Sequence, residues 1–289
     1  MTNKRMAYLY LTITFCAWGS LYVVSKSVLG KIPVFTTSLM RYIIAAIALF
    51  IILKTRNTAK IERRDYKYVF LIGFIGYFLS TVAQLWGTKL SNASIASLIN
   101  SMNPVTIMLF AIVILKEKIT TRKVVCIILA IIGVYTIIGD VNGSGQVLGG
   151  LISILSVFLW SFVSVIVRQI TQKYDPLQIT TYGIIIALIC TLPFSIYELI
   201  ITPNIQYDWT IMPSFLYMGL ICTALAYVCW NKSLSMIEAG TCSLFYPVQP
   251  MIAVLLGWLF LGESINTSFV FGTLLIIGGI IFSTVGKLI

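Results

Sequence analysis

Apolar residues fall along this chain in long runs separated by short polar breaks. Most runs last about 20 residues, enough for an α-helix to cross a hydrocarbon core about 30 Å thick. The pattern predicts ten membrane-crossing helices, at 6–28, 34–53, 67–88, 93–115, 122–139, 147–169, 177–200, 212–233, 239–261 and 268–287. The polar breaks are too short to hold a soluble domain. The longest, 54–66, reads KTRNTAKIERRDY, and 201–211 carries Pro203 and Asp208.

The pattern occurs twice. NASIASLINSMNPVTIMLFAIVILKEKIT (92–120) is echoed by EAGTCSLFYPVQPMIAVLLGWLFLGESIN (238–266), with Pro104 and Pro250, and Glu117 and Glu263, both 146 positions apart. Leu109 matches Leu255, Leu115 matches Leu261 and Ile119 matches Ile265. Further out, Trp18 pairs with Trp160, Pro33 with Pro176, Trp86 and Leu90 with Trp230 and Leu234, and Gly133 with Gly279, the offset drifting from 142 to 146. The expected organisation is two units, 1–140 and 141–289, each of five helices. An odd number of crossings reverses orientation, so the two units are expected to lie inverted in the membrane. That arrangement places a substrate site near the midplane, where the copies meet.

Composition agrees with the pattern. Hydrophobic residues make up 59% and charged residues 10%, and the mean hydropathy is +0.98. A soluble domain carries about 25% charge. The fold class expected is an all-α polytopic membrane protein. The net charge of +11 would suit nucleic acid if it were clustered on a soluble unit, but the basic residues sit in the breaks. With the N-terminus inside, 16 lysines and arginines fall on the inner side and 3 on the outer side, leaving Arg41 within a helix. Both termini are therefore expected in the cytoplasm, with the chain in the cell membrane. Lys4 and Arg5 precede an apolar run of ordinary span length, which reads as an uncleaved first helix rather than a signal peptide. Cys16, Cys126, Cys190, Cys222, Cys229 and Cys242 all lie in apolar runs without ligand spacing, and the chain has no histidine. They read as small core residues, with no metal and no cofactor expected.

Chemistry is sparse within the spans. Arg41 is expected about 12 Å into the second helix at 1.5 Å per residue. Two readings fit it: a partner for a substrate carboxylate or phosphate, or a group that snorkels or packs against backbone carbonyls. No aspartate or glutamate falls mid-span, which argues against a proton-coupled cation carrier. The fourth span carries Ser94, Ser97, Asn100, Ser101 and Asn103, and the ninth carries Gly240, Ser243, Tyr246 and Gln249, largely at spacings of three and four that share a helix face. Pro104 and Pro250 leave the carbonyls of Asn100 and Tyr246 without their helical donors and act as structural hinges. The freed carbonyls either face the cavity or are satisfied where helices pack closely. Trp18, Tyr22, Trp160, Tyr227 and Tyr246 are candidates to line the cavity, while Trp86 and Trp230, closing their spans, read as interfacial belt. Gln84, with Ser80, Thr81 and Thr223, adds polar candidates. The candidate substrate-binding set is Trp18, Tyr22, Arg41, Gln84, Asn100, Asn103, Trp160, Tyr227, Tyr246 and Gln249. Glu117 and Glu263 read as punctuation at helix ends.

FCAWGSLYVVSK in the first span, LMRYIIAAIALF in the second, and the NP…LKEKIT and QP…LGES stretches resemble the drug/metabolite transporter superfamily, with two EamA-type repeats. The resemblance covers nearly the whole chain. LGES at 261–264 is the closer match, and the first copy has Lys116 where the pattern has glycine. The resemblance implies transport of a small metabolite, an amino acid or related compound, commonly by export. Arg41 and the missing carboxylates favour neutral, zwitterionic or anionic substrates, and the aromatic residues leave room for cationic or quaternary-amine compounds. Expected partners are a small-molecule substrate and the lipid bilayer, with no nucleic acid; the oligomeric state stays open. An intramembrane hydrolase would need a serine with histidine or lysine, an aspartate pair or a zinc site. A channel would show rings of charge or a carbonyl filter. A scaffold or other non-transporting component would need no duplicated polar face.

Overall fold

The computed structural model describes residues 3–91, 93–116, 120–138, 144–202 and 209–262, with isolated helical positions between 267 and 282. Helices and their connections account for all of them, and no strand occurs among the described residues. In chain order the helices are α1 (Asn3–Leu29), α2 (Val34–Lys54), α3 (Arg63–Leu90), α4 (Ala93–Asn100), α5 (Asn103–Leu115), α6 (Thr121–Ile138), α7 (Ser144–Ile170), α8 (Pro176–Ile201), α9 (Trp209–Met236), α10 (Ala239–Ser243) and α11 (Val248–Leu261). Among the described residues, seven stretches are long and apolar enough to cross a membrane: most of α1 and α7, all of α2, α3, α8 and α9, and the combined segment Ala239–Leu261. The apolar α5 is shorter, at 13 residues. Most of the predicted tenth span, with Glu117, Asp140, Pro203, Asp208 and Glu263, lies outside the described residues.

Local chemistry sets the helix ends. Pro33, in extended backbone, leads into α2. Asp175 caps α8 by accepting from the Leu177 and Gln178 amides, with Pro176 in the first turn where no donor is lost. The predicted fourth and ninth spans are each broken in two, between α4 and α5 and between α10 and α11. Each break comes just ahead of its proline, Pro104 or Pro250. Lys116 ends α5 in the left-handed region at φ 54°, as Gly262 ends α11 at φ 67°. The lysine thus adopts the glycine conformation despite its Cβ, and its amide still closes the helix on the Ala111 carbonyl.

Two features are not visible in the periodicity. The centre of α3, Ile72–Ser80, and the centre of α9, Met218–Leu225, are wound as π-helix. Their starts are 146 positions apart. The helices also pack in an exchanged pattern. α1 lies against α9 and α11, while α7 lies against α3 and α5. α2 packs along α8 and the π-segment of α9; α8 packs along α2 and the π-segment of α3. Side chains such as Ile47, Phe50 and Ile51 of α2 and Ile189, Phe194 and Ile196 of α8 stay exposed. Such apolar outer faces suit lipid, while serines, threonines and glycines fill the interior contacts.

Candidate functional site

An aromatic cluster occupies the middle of the bundle. Trp18 of α1 meets Trp160 of α7 edge to face at 5.3 Å between ring centres, and each touches Tyr227 of α9, at 5.8 and 5.4 Å. Tyr77 packs on Tyr227 at 4.8 Å. Offset and edge contacts of this kind suit the ring quadrupoles. Hydrogen bonds fix the rings: Trp18 Nε1 donates to the Cys222 carbonyl at 3.1 Å, Trp160 Nε1 donates to the Tyr246 hydroxyl, and the Tyr227 and Thr81 hydroxyls pair at 3.2 Å.

These rings bound a narrow cavity of about 20 Å³, lined by Trp18, Leu21, Ser80, Gln84, Asn100, Ser156, Trp160, Tyr227, Tyr246 and Gln249. Its free space is the size of one water molecule. All ten lining residues are uncharged. Gln249 is nearly fully buried, and its Oε1 has no hydrogen-bond partner among the described residues. Such an acceptor is costly to leave unpaired in a low-dielectric interior and is satisfied by a ligand that brings a donor. Ser80 and Ser156 cross-link α3 and α7, each hydroxyl donating to the other's carbonyl, at 3.1 and 2.8 Å.

Seven of the ten sequence candidates meet here: Trp18, Gln84, Asn100, Trp160, Tyr227, Tyr246 and Gln249. Tyr22 lies behind the wall, its hydroxyl near Gln84 without bonding geometry to it. Asn103 is turned to structural use. Its Nδ2 donates to the Asn100 carbonyl at 2.8 Å, and its Oδ1 accepts from Ser161 of α7 at 2.9 Å. The acceptor freed by Pro104 is thereby consumed within the break, and the Tyr246 carbonyl likewise takes the Gln249 amide at 2.9 Å. Arg41 does not line the cavity. It is fully buried between α2 and α9, with Nε donating to Thr223 Oγ1 at 2.8 Å. The belt assignment of Trp230 is corrected: it is 1% exposed and packs on Phe15, Trp18 and Tyr246. Trp86 is half-buried, with the Lys89 ammonium over its ring. Leu21 and Ser156 escaped the sequence reading. Ser156 stands 142 positions after Thr14, and that hydroxyl match within the repeat is the signal that could have marked it.

Two other cavities are larger. One of about 410 Å³ between α2, α8 and α9 is mainly apolar, and its Thr36 and Ser195 hydroxyls are engaged with Glu198 and each other. One of about 260 Å³ at Lys4, Tyr8, Arg168, Met236, Ile237, Glu238 and Thr241 lies at one end of the bundle. Neither joins aromatic walls to buried amide groups as the central site does.

The profile of the EamA-like transporter family matches residues 5–139 and again 147–285. The chain belongs to this family. This EamA-like protein is 26% identical to the uncharacterized transporter YetK of Bacillus subtilis, over 99% of this chain and 89% of that one. It is 27% identical to an S-adenosylmethionine/S-adenosylhomocysteine transporter of Chlamydia muridarum, over 93% of this chain and 88% of that one. A solved crystal structure superposes with a TM-score of 0.78 at 19% identity and covers 99% of both chains, a likeness of fold. The EamA-like chain is therefore a multi-pass membrane protein of a transporter family.

Proposed function

We propose that this EamA-like protein is a secondary transporter that moves a small metabolite by alternating access around the central cavity. In this reading it has ten spans in two inverted five-helix repeats, 1–140 and 141–289, with both termini cytoplasmic in the cell membrane. The observation that carries it is the meeting of equivalent residues. Thr81 and Tyr227, 146 apart like the starts of the two π-segments that precede them, hydrogen-bond to each other, and Trp18 and Trp160, 142 apart, meet edge to face. Residues related by an internal two-fold touch only where the axis passes. The exchanged packing, α1 on α9 and α11 as α7 is on α3 and α5, with α2 on α8, supports the same symmetry, and inverted repeats hold their substrates where the copies meet.

The lining narrows the substrate. Without a basic group in the wall, an anion has no counter-charge. The aromatic faces and the Gln249 acceptor suit a flat or cationic compound that carries a hydrogen-bond donor. An amino-acid-related metabolite with a cationic or heteroaromatic part meets both demands, which favours the cationic alternative over a simple acidic amino acid. S-adenosylmethionine and S-adenosylhomocysteine, the compounds named for the Chlamydia muridarum relative, have such parts and are the first to test. Proteoliposomes loaded with labelled S-adenosylmethionine, neutral amino acids or quaternary amines should release one of these classes faster than protein-free vesicles, without a pH gradient. Transport of glutamate in preference to all of them would overturn the substrate reading. Strict dependence on a pH gradient would overturn the uncoupled mechanism.

A further inference from the structure

Arg41 is the charged group left over by the proposed site, and its surroundings repeat. Gly219, in the π-segment of α9, sits so close to α2 that a Cβ there would meet Ile44 Cβ at 2.6 Å and the Arg41 carbonyl at 3.2 Å. Gly73, in the π-segment of α3, sits in the same way on α8: a Cβ there would meet Ile186 Cβ at 2.6 Å and the Gly183 carbonyl at 2.7 Å. Gly73 and Gly219 are 146 positions apart, and Ile44 and Ile186, like Arg41 and Gly183, are 142 apart. The two seams, α2 on α9 and α8 on α3, are thus built on one plan.

They differ at one pair of positions. In the α8 seam the Tyr77 ring fills the space over Gly183, where an added Cβ would lie 2.7 Å from Cε2. The Tyr77 hydroxyl accepts from Asn231 Nδ2 at 2.8 Å. In the α2 seam the equivalent pair is Arg41 and Thr223. Thr223 Oγ1 accepts from Arg41 Nε and itself donates to the Met218 carbonyl at 2.7 Å across the π-turn. The guanidinium is 0% exposed, and its NH1 has no hydrogen-bond partner among the described residues. It stands 5.8 Å from the Tyr42 ring centre, and no ion pair among the described residues includes it. One seam is closed by a ring over a glycine, the other over a charge that keeps one good neutral partner.

We infer that Arg41 biases the α2–α9 seam to part during the transport cycle, because closing it buries an under-solvated guanidinium that water rehydrates when it opens. Buried charge without full compensation favours the hydrated state, and replacing it by an apolar residue of similar volume stabilises the closed packing. The Thr223 hydrogen bond acts in the opposite sense and holds the seam shut. Arg41 is here a positioning residue, not a ligand for the substrate. The inference rests on the alternating-access reading, yet its readout needs no substrate.

Cys222, next to Thr223 on the π-segment of α9, faces α1, so its thiol becomes accessible when α9 leaves its packed position and reports on the seam through that movement. Its thiol is free, fully buried, and donates to the Ala17 carbonyl at 3.2 Å. Purified full-length protein is treated with N-ethylmaleimide, and modification of Cys222 is followed by peptide mass spectrometry, with Cys222→Ala as the blank. The native protein should label slowly but measurably. Arg41→Met should label about tenfold more slowly, and Thr223→Val, which keeps the shape and removes the acceptor, should label faster. A purely structural role predicts that both variants loosen the seam and label faster. That result would overturn the inference, as would equal rates in all three proteins or no labelling of the native one. If Arg41→Met fails to fold, Arg41→Gln, which removes the charge and keeps a donor for Thr223, takes its place: labelling as fast as the native protein or faster overturns the proposal. Absence of transport with these opposite labelling shifts intact would count against the transporter reading and leave the inference standing.

Discussion

Single side chains decide what the cavity can hold. Gln249 offers a buried acceptor that nothing among the described residues satisfies, so its two roles separate cleanly. Leucine in its place has nearly the same volume and no polar atom. Removing an unpaired buried acceptor costs no internal hydrogen bond and relieves a desolvation penalty. Gln249→Leu should leave the melting temperature in detergent unchanged or raised. Apparent substrate affinity should weaken by about 1–3 kcal/mol, from the lost ligand bond. Uptake in proteoliposomes, measured over a range of substrate concentrations, checks this as a raised KM; a stable variant with native KM would remove Gln249 from the site. The Arg41 position teaches the complementary lesson. Its depth was legible from its distance to Pro33, but its direction was not, since nothing local says which neighbouring helix a long side chain faces.

At the scale of elements, the legible features were those with a local cause. Pro104 and Pro250 announce the breaks because proline lacks a donor and clashes with the preceding turn. The fate of the freed carbonyls was not legible, because it depends on whether Asn103 turns back toward Asn100 or forward into the cavity. The π-segments leave no mark in the periodicity, as an extra residue per turn is set by what packs beside it. Trp230 has the sequence context of a belt residue, yet the chain brings Phe15 and Tyr246 around it.

The connections carry their own chemistry. Lys173, ahead of α8, pairs with Glu62 at 2.6 Å and with Asp65 at 2.8 Å; the Tyr174 hydroxyl donates to Asp65 at 2.7 Å. The hydrogen bond from Lys173, helped by Arg64, holds the Glu62 carboxyl below its ordinary value of 4.5. Asp65 and Glu62 together hold the Lys173 ammonium above its ordinary 10.5. Glu62 thus contributes fully above pH 4.5 and is lost as pH falls through its lowered value; Lys173 contributes fully below 10.5 and is lost as pH rises through its raised value. The latch should stay closed across neutral pH. A spin-label pair on Lys60 and Gln172 should show one narrow distance at pH 7 that broadens as pH drops from 5 to 3. Because Lys173 and Glu62 are exposed, 1 M salt at pH 7 should broaden it too. A distance that ignores both would mean that the ion pairs do not hold this connection.

For the whole molecule, the question is which seams move. α2 and α8 run antiparallel along their full length and are clasped at both ends. At one end Thr36 donates its amide and hydroxyl to Glu198 at 2.8 and 3.0 Å, and Ser195 donates to Thr36 at 3.3 Å. At the other, Gln178 Nε2 donates to the Ala59 carbonyl at 3.0 Å, beside the Lys173 latch. The central cavity, at about 20 Å³, is too small for any metabolite, so the bundle must part somewhere to admit one. A pair held at both ends at once and packed between them is the costliest place to part. The flanking seams, where α2 and α8 meet the π-segments, have fewer such ties and carry the buried guanidinium. The α2–α8 pair should therefore move as one rigid body while α3 and α9 swing against it. Thr36→Cys with Ser195→Cys places two thiols where the native hydroxyls are 3.3 Å apart, within reach of a disulfide. Oxidising that pair should leave proteoliposome uptake within about twofold of the reduced protein, since a link inside a rigid body adds no barrier. Uptake abolished by oxidation and restored by reductant would place the moving gate in the α2–α8 seam instead, and with it the path that the substrate takes.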